Sequence, residues 1–201
     1  MDKLSYALGM SLGQSLQSSG VDSLEFDDFL SGVKVIFSGD EPQISAEYGN
    51  QILRTFFDKK EKEKKEAERV ERKKNLAAGQ EFLKKNAEDP GVTVTASGLQ
   101  YKVIKDGDGI LPGPHSRVRC HYEGRLIDGK VFDSSYRKGT PAVFGLDQVI
   151  PGWTEGLQLM KVGSKYEFYI PANLAYGEVG VPGVIPGNST LIFTVELLGV
   201  L

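Results

Sequence analysis

From Ser45 to about Ala87 the chain contains no proline, and only Gly49 and Gly79 interrupt a composition suited to helix. At 1.5 Å per residue this stretch permits a single helix of about 65 Å. Its middle constrains everything else: from Asp58 to Asn75 every residue except Ala67, Val70 and Asn75 is charged. A helix that is polar all round cannot lie in a core, so it reads as a spacer crossing solvent. Pairs such as Asp58–Lys62, Glu61–Lys65 and Glu68–Arg72 support it at a few tenths of a kcal/mol each, roughly. The spacer ends at Asn86-Ala87-Glu88-Asp89-Pro90-Gly91, where Pro90 cannot continue a helix. The chain is thereby divided into a helical arm, 1–57, the rest of the charged helix, 58–90, and a second domain, 91–201.

The helix has apolar ends. Tyr48, Ile52, Leu53, Phe56 and Phe57 can join the arm, and Leu76, Ala77, Phe82 and Leu83 form a second, weaker stripe. No apolar a/d seam runs between them, which argues against coiled-coil pairing. Acids alternate with bases along the run, and no part of the chain is a basic field. Residues 45–90 hold twelve bases and ten acids, and the whole chain is net −3. Nucleic-acid binding is accordingly set aside.

In the arm, Leu4, Leu8, Leu12 and Leu16 recur every fourth residue, which predicts an amphipathic helix over 2–18 that stops near Ser19-Gly20. A second helix follows, with Ser23 as its expected N-cap, Phe26, Phe29, Leu30, Val33, Ile36 and Phe37 at helical spacing, and Ser38-Gly39 as its end. Two short helices this apolar cannot bury both faces against each other, and another copy of the same arm is the simplest partner. Gly9 and Gly13, four apart, either let another helix approach closely or merely weaken the helix.

No apolar run approaches the length of a membrane span, and Met1-Asp2-Lys3 leads into an amphipathic pattern rather than a signal-peptide block. The chain therefore reads as cytoplasmic, with a periplasmic or exported form whose signal has been removed as the alternative. One cysteine, Cys120, excludes an internal disulfide and any multi-cysteine metal site.

Beyond Gly91 the period changes from helical to alternating. Leu99–Ile104, Arg117–Gly124, Tyr166–Ile170 and Leu191–Leu197 read as strands, and Asp128-Gly129 reads as a hairpin turn into Val131-Phe132. The one clear helix is Pro151–Met160. One short helix against four or more strands is an α+β domain, an antiparallel sheet curled over a helix. Two long irregular connections, from Ser134 to about Gly145 and from Pro171 to Ser189, carry aromatic and aliphatic residues where a plain surface loop would be polar. They look like the walls of an apolar pocket. In Gln148-Val149-Ile150-Pro151-Gly152-Trp153 an extended segment turns into a helix. Pro151 suits the first helical position, and the free N–H groups of that first turn lie beside a large indole. Trp153 is then either a core residue under a helix start or the floor of a site.

Residues 97–200 resemble the FKBP-type peptidyl-prolyl isomerases in six ordered blocks: Gly98-Leu99-Gln100-Tyr101, His121-Tyr122-Glu123-Gly124, Asp128 to Ser135, Val149-Ile150-Pro151-Gly152-Trp153, Ala175-Tyr176-Gly177 and Thr190-Leu191-Ile192-Phe193. The arm, beginning Asp2-Lys3-Leu4-Ser5-Tyr6-Ala7-Leu8-Gly9-Met10, is similar to the macrophage-infectivity-potentiator-like bacterial branch, whose members dimerise through intertwined N-terminal helices. The resemblance implies a pocket with Trp153 as its floor. Tyr122, Phe132, Phe144, Val149, Ile150 and Phe193 would be its walls, with Tyr176 and Ile185 from the long loop, where Val181 and Val184 also lie. It implies that the Ile150 N–H and the Tyr176 hydroxyl bond the substrate and that Asp133 is a polar rim residue. Two positions depart from the family: Ala142 where an aromatic is common, and Val181 where a histidine is common. Both alter the rim and bear on the affinity for rapamycin-type macrolides.

The implied activity needs no cofactor: Xaa–Pro rotation over a barrier of about 18–20 kcal/mol breaks no bond. The implied partners are proline-containing peptides and unfolded protein clients. Other chemistries find little support. Cys120 and His121 are neighbours on a strand and point to opposite faces, so they form no nucleophile–base pair. His115 and His121 have no carboxylates clustered round them in sequence to make a metal site. Asp106-Gly107-Asp108-Gly109 is turn chemistry without the spacing of a calcium loop. The rival from another class is a dimeric chaperone or proline-peptide binding module with little turnover.

Overall fold

The computed structural model describes all residues, Met1–Leu201. The chain forms two compact units, Met1–Glu66 and Ala67–Leu201, whose boundary falls inside one continuous helix. The fold class is the α+β arrangement expected.

The first unit holds α1 (Lys3–Ser18), α2 (Phe26–Ser38) and the start of α3 (Ala46–Asn86). Asp2 caps α1 by accepting the Ser5 N–H at 2.7 Å. The expected Ser23 cap of α2 is not made: the capping position is Glu25, without a side-chain bond. Asp27 and Asp28 in the first turn complement the helix dipole instead. Gly39, at φ 75°, closes α2 in the left-handed conformation that glycine adopts at little cost. Neither α1 nor α2 contains a buried residue. Leu4, Leu8, Met10, Leu12, Phe26, Leu30, Ile36 and Phe37 are all exposed. A Cβ added at Gly9 or Gly13 would meet nothing within 4 Å.

Along α3, the expected pairs Glu61–Lys65 and Glu68–Arg72 form, the latter at 3.2 Å, and Lys59–Glu63 joins them at 3.9 Å. All three are at least partly exposed, so each adds little. The second half of α3 corrects the picture of a solvated spacer, because it is packed on the rest of its unit. Glu68, Arg72, Asn75, Gly79, Phe82 and Asn86 are buried or half-buried at alternating steps of four and three residues, one face of a helix. Phe82 meets Tyr169 with ring centroids 6.0 Å apart. Gln100 donates to the Leu83 carbonyl at 2.9 Å and accepts from Asn86 Nδ2 at 2.9 Å. A Cβ on Gly79 would sit 2.3 Å from Thr190 Oγ1, so only glycine lets the helix come this close. Leu76, placed in the stripe from sequence, is 42% exposed and lies off this face.

The remainder is a seven-stranded, wholly antiparallel sheet in the order β1 (Val92–Val94), β2 (Gln100–Lys105), β6 (Lys165–Ile170), β7 (Leu191–Val200), β3 (Arg117–Leu126), β4 (Val131–Ser134). β5 (Ala142–Gly145) also pairs with β3. β1 and β5 were not read from sequence. β5 lies within the segment expected to be an irregular connection, and four residues are too few to show a period. The short helix α4 (Pro151–Leu157) packs on the concave face and ends a turn before Met160.

Three features of this framework place the site. Even-numbered residues of β3, from Val118 to Leu126, turn inward and odd ones outward. β3 also shares one edge between two partners, with Arg117–Cys120 on β5 and Glu123–Arg125 on β4. Where β4 has ended and β5 has not begun, buried Ser135 serves the orphaned backbone of Tyr122. Its Oγ accepts the Tyr122 N–H at 2.7 Å and its N–H donates to the Tyr122 carbonyl at 2.9 Å. Finally, α4 reaches the sheet through glycines: a Cβ at Gly152 would lie 2.5 Å from Ile170, and one at Gly156 would lie 2.6 Å from Phe168.

A candidate prolyl-peptide pocket

Trp153, 4% exposed, is projected from the first turn of α4 into the hollow of the sheet. Three rings meet it nearly perpendicularly: Tyr122 from β3 at 5.3 Å, Phe144 from β5 at 5.3 Å and Phe193 from β7 at 5.2 Å. Phe132 from β4 in turn meets Phe193 edge-on at 5.5 Å. Such edge-to-face pairs each stabilise by about 0.5–1.5 kcal/mol beyond the area they bury. They leave an apolar box whose rings cannot easily collapse into it. The Trp153 Nε1–H is buried without an acceptor in the chain. An unmet donor costs about 1–3 kcal/mol, the kind of local expense that functional sites carry.

The box opens into a cavity of about 660 Å³. All twelve residues singled out from the sequence line it: Tyr122, Phe132, Asp133, Phe144, Val149, Ile150, Trp153, Tyr176, Val181, Val184, Ile185 and Phe193. Lys138 and Gln148 line it too and were not foreseen. Lys138 belongs to a polar turn with no periodicity, and only its partner reveals it. Of the two departures, Val181 faces the cavity, whereas Ala142 pairs with Cys120 in β5 and packs against the core.

Ile150 is the N-cap of α4, at φ −60° and ψ 148°, with Pro151 at the first helical position. Its carbonyl accepts the N–H groups of Trp153 and Thr154, while its own N–H has no acceptor in the chain. The lip of the apolar box thus presents a fixed backbone donor beside an extended segment. Thr154 Oγ1 donates to the Leu146 carbonyl at 2.6 Å and ties the helix to the approaching strand segment.

Across the mouth, Asp133 accepts from the Tyr122 hydroxyl at 2.5 Å and from Lys138 Nζ at 2.6 Å. Burial raises the Asp133 carboxyl, but the bonds from Lys138 and Tyr122 outweigh it and hold the group below the usual range. Burial first, and then Asp133, push the Tyr122 phenol up. At neutral pH the rim therefore carries a carboxylate and a phenol, a pair with no proton poised for transfer. The Tyr176 hydroxyl makes no bond within the chain, and burial raises its phenol as well.

Cys120 and His121 do face opposite ways. Cys120 is fully buried, with its thiol pushed up to about 12 by burial, and His121 Nδ1 lies 3.0 Å from Ser135 Oγ with its ring stacked on Tyr136. An inert thiol and a distant imidazole make no catalytic dyad.

An open-mouthed box of rings with one fixed N–H at its lip defines a protein that encloses a small apolar ring while restraining the backbone next to it. Residues 110–198 match the family described as FKBP-type peptidyl-prolyl cis-trans isomerase, and residues 1–103 match the domain amino terminal to it. The chain belongs to the FKBP-type peptidyl-prolyl cis-trans isomerases that carry this N-terminal domain. It is 44% identical over 198 residues to the FKBP-type 22 kDa peptidyl-prolyl cis-trans isomerase of Escherichia coli, covering 98% of this chain and 94% of the relative. It is also 44% identical over 200 residues to the outer membrane protein MIP of Legionella longbeachae, covering 99% and 85% of the two chains. The crystal structure of FkpA from Escherichia coli is similar throughout, with a TM-score of 0.78 and 41% identity over 98% of this chain and 95% of that one.

Proposed function

We propose that this chain catalyses cis–trans isomerisation of Xaa–Pro bonds in peptides and unfolded protein clients, without a covalent intermediate or a cofactor. The observation that carries the reading is the unpartnered Ile150 N–H at the lip of the ring-walled box over Trp153. In the planar amide, resonance resists rotation; in the twisted transition state the nitrogen becomes pyramidal and the carbonyl regains isolated C=O character. A dry box that takes the proline ring, and a donor that fixes a flanking carbonyl, favour the twisted form over the planar one. Each 1.4 kcal/mol of that preference gives about tenfold in rate.

The test is the cis-to-trans rate of a short Phe-Pro peptide with and without the full chain, and with a rapamycin-type macrolide as competitor. Acceleration abolished by the macrolide is expected, and a well-folded sample without acceleration would sink the reading. Asp133→Leu separates this mechanism from acid–base chemistry. It removes only a rim partner of Tyr122 and Lys138, so the rate should fall by no more than about tenfold. Complete loss with the fold intact would mean that a proton is transferred.

For the arm we propose self-association through α1 and α2, with the exposed apolar side chains of those helices as the support. The same surface favours a second reading, in which the arm grips unfolded clients and two pockets address one client. The structure sets the cut that tests it at Glu66, because a deletion to residue 90 would also strip the packed half of α3 from its sheet. Removing residues 1–66 should leave peptide turnover within about twofold and yield a monomer on sedimentation, while refolding of a protein client slows severalfold. Equal loss of both activities would argue against a divided labour. The expected cytoplasmic location gains nothing from the relatives, one of which is called an outer membrane protein. That name favours the exported alternative, and no helix here is long and apolar enough to cross a membrane.

A further inference from the structure

Resting on the isomerase reading, we propose that Asn75 and Asn188 are positioning residues of the pocket. They fasten the base of the loop that follows Tyr176 to the packed half of α3, and so hold Tyr176, Val181 and Ile185 around the bound proline.

The loop is a closed excursion whose tip is seated by Ile185, 5% exposed in the core, and whose backbone bonds close mainly on the loop itself. At its tip Val181 and Ile185 exchange backbone bonds of 2.8 Å each, with Gly180 and Gly183 at φ 70° and 75° making the turns. At its base the Asn188 N–H donates to the Gly177 carbonyl at 2.9 Å, directly after Tyr176. Nothing in those bonds fixes the loop to the sheet. Two side-chain bonds attach that base to the helix. Asn75 Nδ2 donates to the Gly187 carbonyl at 3.1 Å, and Asn188 Nδ2 donates to the Arg72 carbonyl at 3.3 Å. The two bonds run in opposite directions between neighbouring pairs, a reciprocal clasp. Asn188 is also the one non-glycine residue with positive φ, 58°. Asparagine tolerates that conformation better than most residues, but it is still a local cost that the clasp offsets. Gly187 completes the fit, since an added Cβ would come within 2.9 Å of Arg72 Cγ and 2.1 Å of the Glu178 carbonyl oxygen.

This clasp lies outside the cavity, and neither asparagine lines it. Its influence on turnover runs through the loop, which contributes Tyr176, Val181, Val184 and Ile185 to the wall. A wall free to move must be ordered again each time a peptide binds, so loosening it weakens binding while leaving the chemistry at Ile150 and Trp153 intact.

The experiment uses the full chain with Asn75→Ala, Asn188→Gly and the double variant. Alanine is the best helix former, so Asn75→Ala does not weaken α3 itself. Glycine accepts the positive φ at position 188, so Asn188→Gly removes the side-chain amide without straining the backbone. Each single change is expected to raise KM for a Phe-Pro peptide about threefold and the double change about tenfold, with kcat within about twofold of the parent. In amide hydrogen exchange, the N–H groups of Val181 and Ile185 should exchange faster, while those of Val195 and Leu197 in β7 should not change. Unchanged KM and unchanged loop exchange would overturn the proposal. So would a fall in kcat and in the unfolding midpoint with KM unchanged, which would mark the clasp as general scaffold. Exchange needs no turnover: were the parent chain inactive, the isomerase reading would fall, and loop exchange with peptide affinity, read from Trp153 fluorescence, would decide the clasp independently.

Discussion

Truncating Phe168 to alanine is expected to destabilise the isomerase unit by about 3–5 kcal/mol, a large part of the 5–15 kcal/mol that typically separates a folded domain from its unfolded chain. Phe168 is fully buried at the centre of β6, with Tyr166 at 6.0 Å and Tyr101 at 6.5 Å between ring centroids. Gly156 of α4 rides directly on its ring, and an alanine there would put a methyl 2.6 Å from Phe168 Cε1. The contact is the seat of the helix that carries Trp153, so the two residues should be strongly coupled. Gly156→Ala alone should cost about 1–3 kcal/mol by overpacking. Combined with Phe168→Leu it should cost less than the sum, because the smaller side chain makes room for the methyl. Urea unfolding followed by Trp153 fluorescence reads this unit alone, since the chain has no other tryptophan. A loss below about 1 kcal/mol for Phe168→Ala, or strict additivity in the cycle, would contradict the packing described.

Replacing Ile150 with proline is expected to cut kcat/KM for a short Xaa–Pro peptide by about 10- to 100-fold while leaving the fold in place. The backbone at 150 already has φ −60° and ψ 148°, values that proline adopts and that suit a residue preceding Pro151. Its N–H serves nothing inside the chain, so its removal breaks no structural bond. What disappears is the donor at the lip of the box, leaving a desolvated substrate carbonyl unmatched at about 1–3 kcal/mol. Ile150→Val controls for side-chain volume and should stay within about threefold, since it removes one methylene-sized group. Turnover of Ile150→Pro within about threefold of the parent would remove the backbone donor from the mechanism.

Much of this could be read from residue order. The proline-free charged run required a long helix, the change of period at Gly91 separated a helical arm from a sheet domain, and alternation in β3 put Cys120 and His121 on opposite faces. The residues of the pocket were legible through the resemblance of short motifs to the FKBP-type family rather than through spacing, since Tyr176, Val181, Val184 and Ile185 lie in a loop where no period gives a side chain its direction. Lys138 was missed because it lies in a turn outside those motifs, between Ser135 and Val149, where spacing says nothing about where a side chain points either. The docked half of α3 was misread for a related reason. Its inward face is Glu68, Arg72, Asn75, Gly79, Phe82 and Asn86, a helical period written, apart from Phe82, in polar and small residues, so a hydrophobic pattern registers only its far end. The apolar Leu76, which such a pattern does register, points elsewhere.

The sequence by itself determined the local features: which segments are helical, which strand faces are apolar, and that a lone tryptophan follows a proline at a helix start. These depend on backbone preferences and on periods within one element, and they hold wherever that element ends up. Only the tertiary structure decided that three rings from three strands close on Trp153, that the Ile150 N–H is left without an acceptor, and that Asn75 reaches Gly187 112 positions away along the chain. Those outcomes depend on the register between strands and on how closely a helix can approach them. Register and approach are set by contacts between residues far apart in sequence, which no single segment encodes.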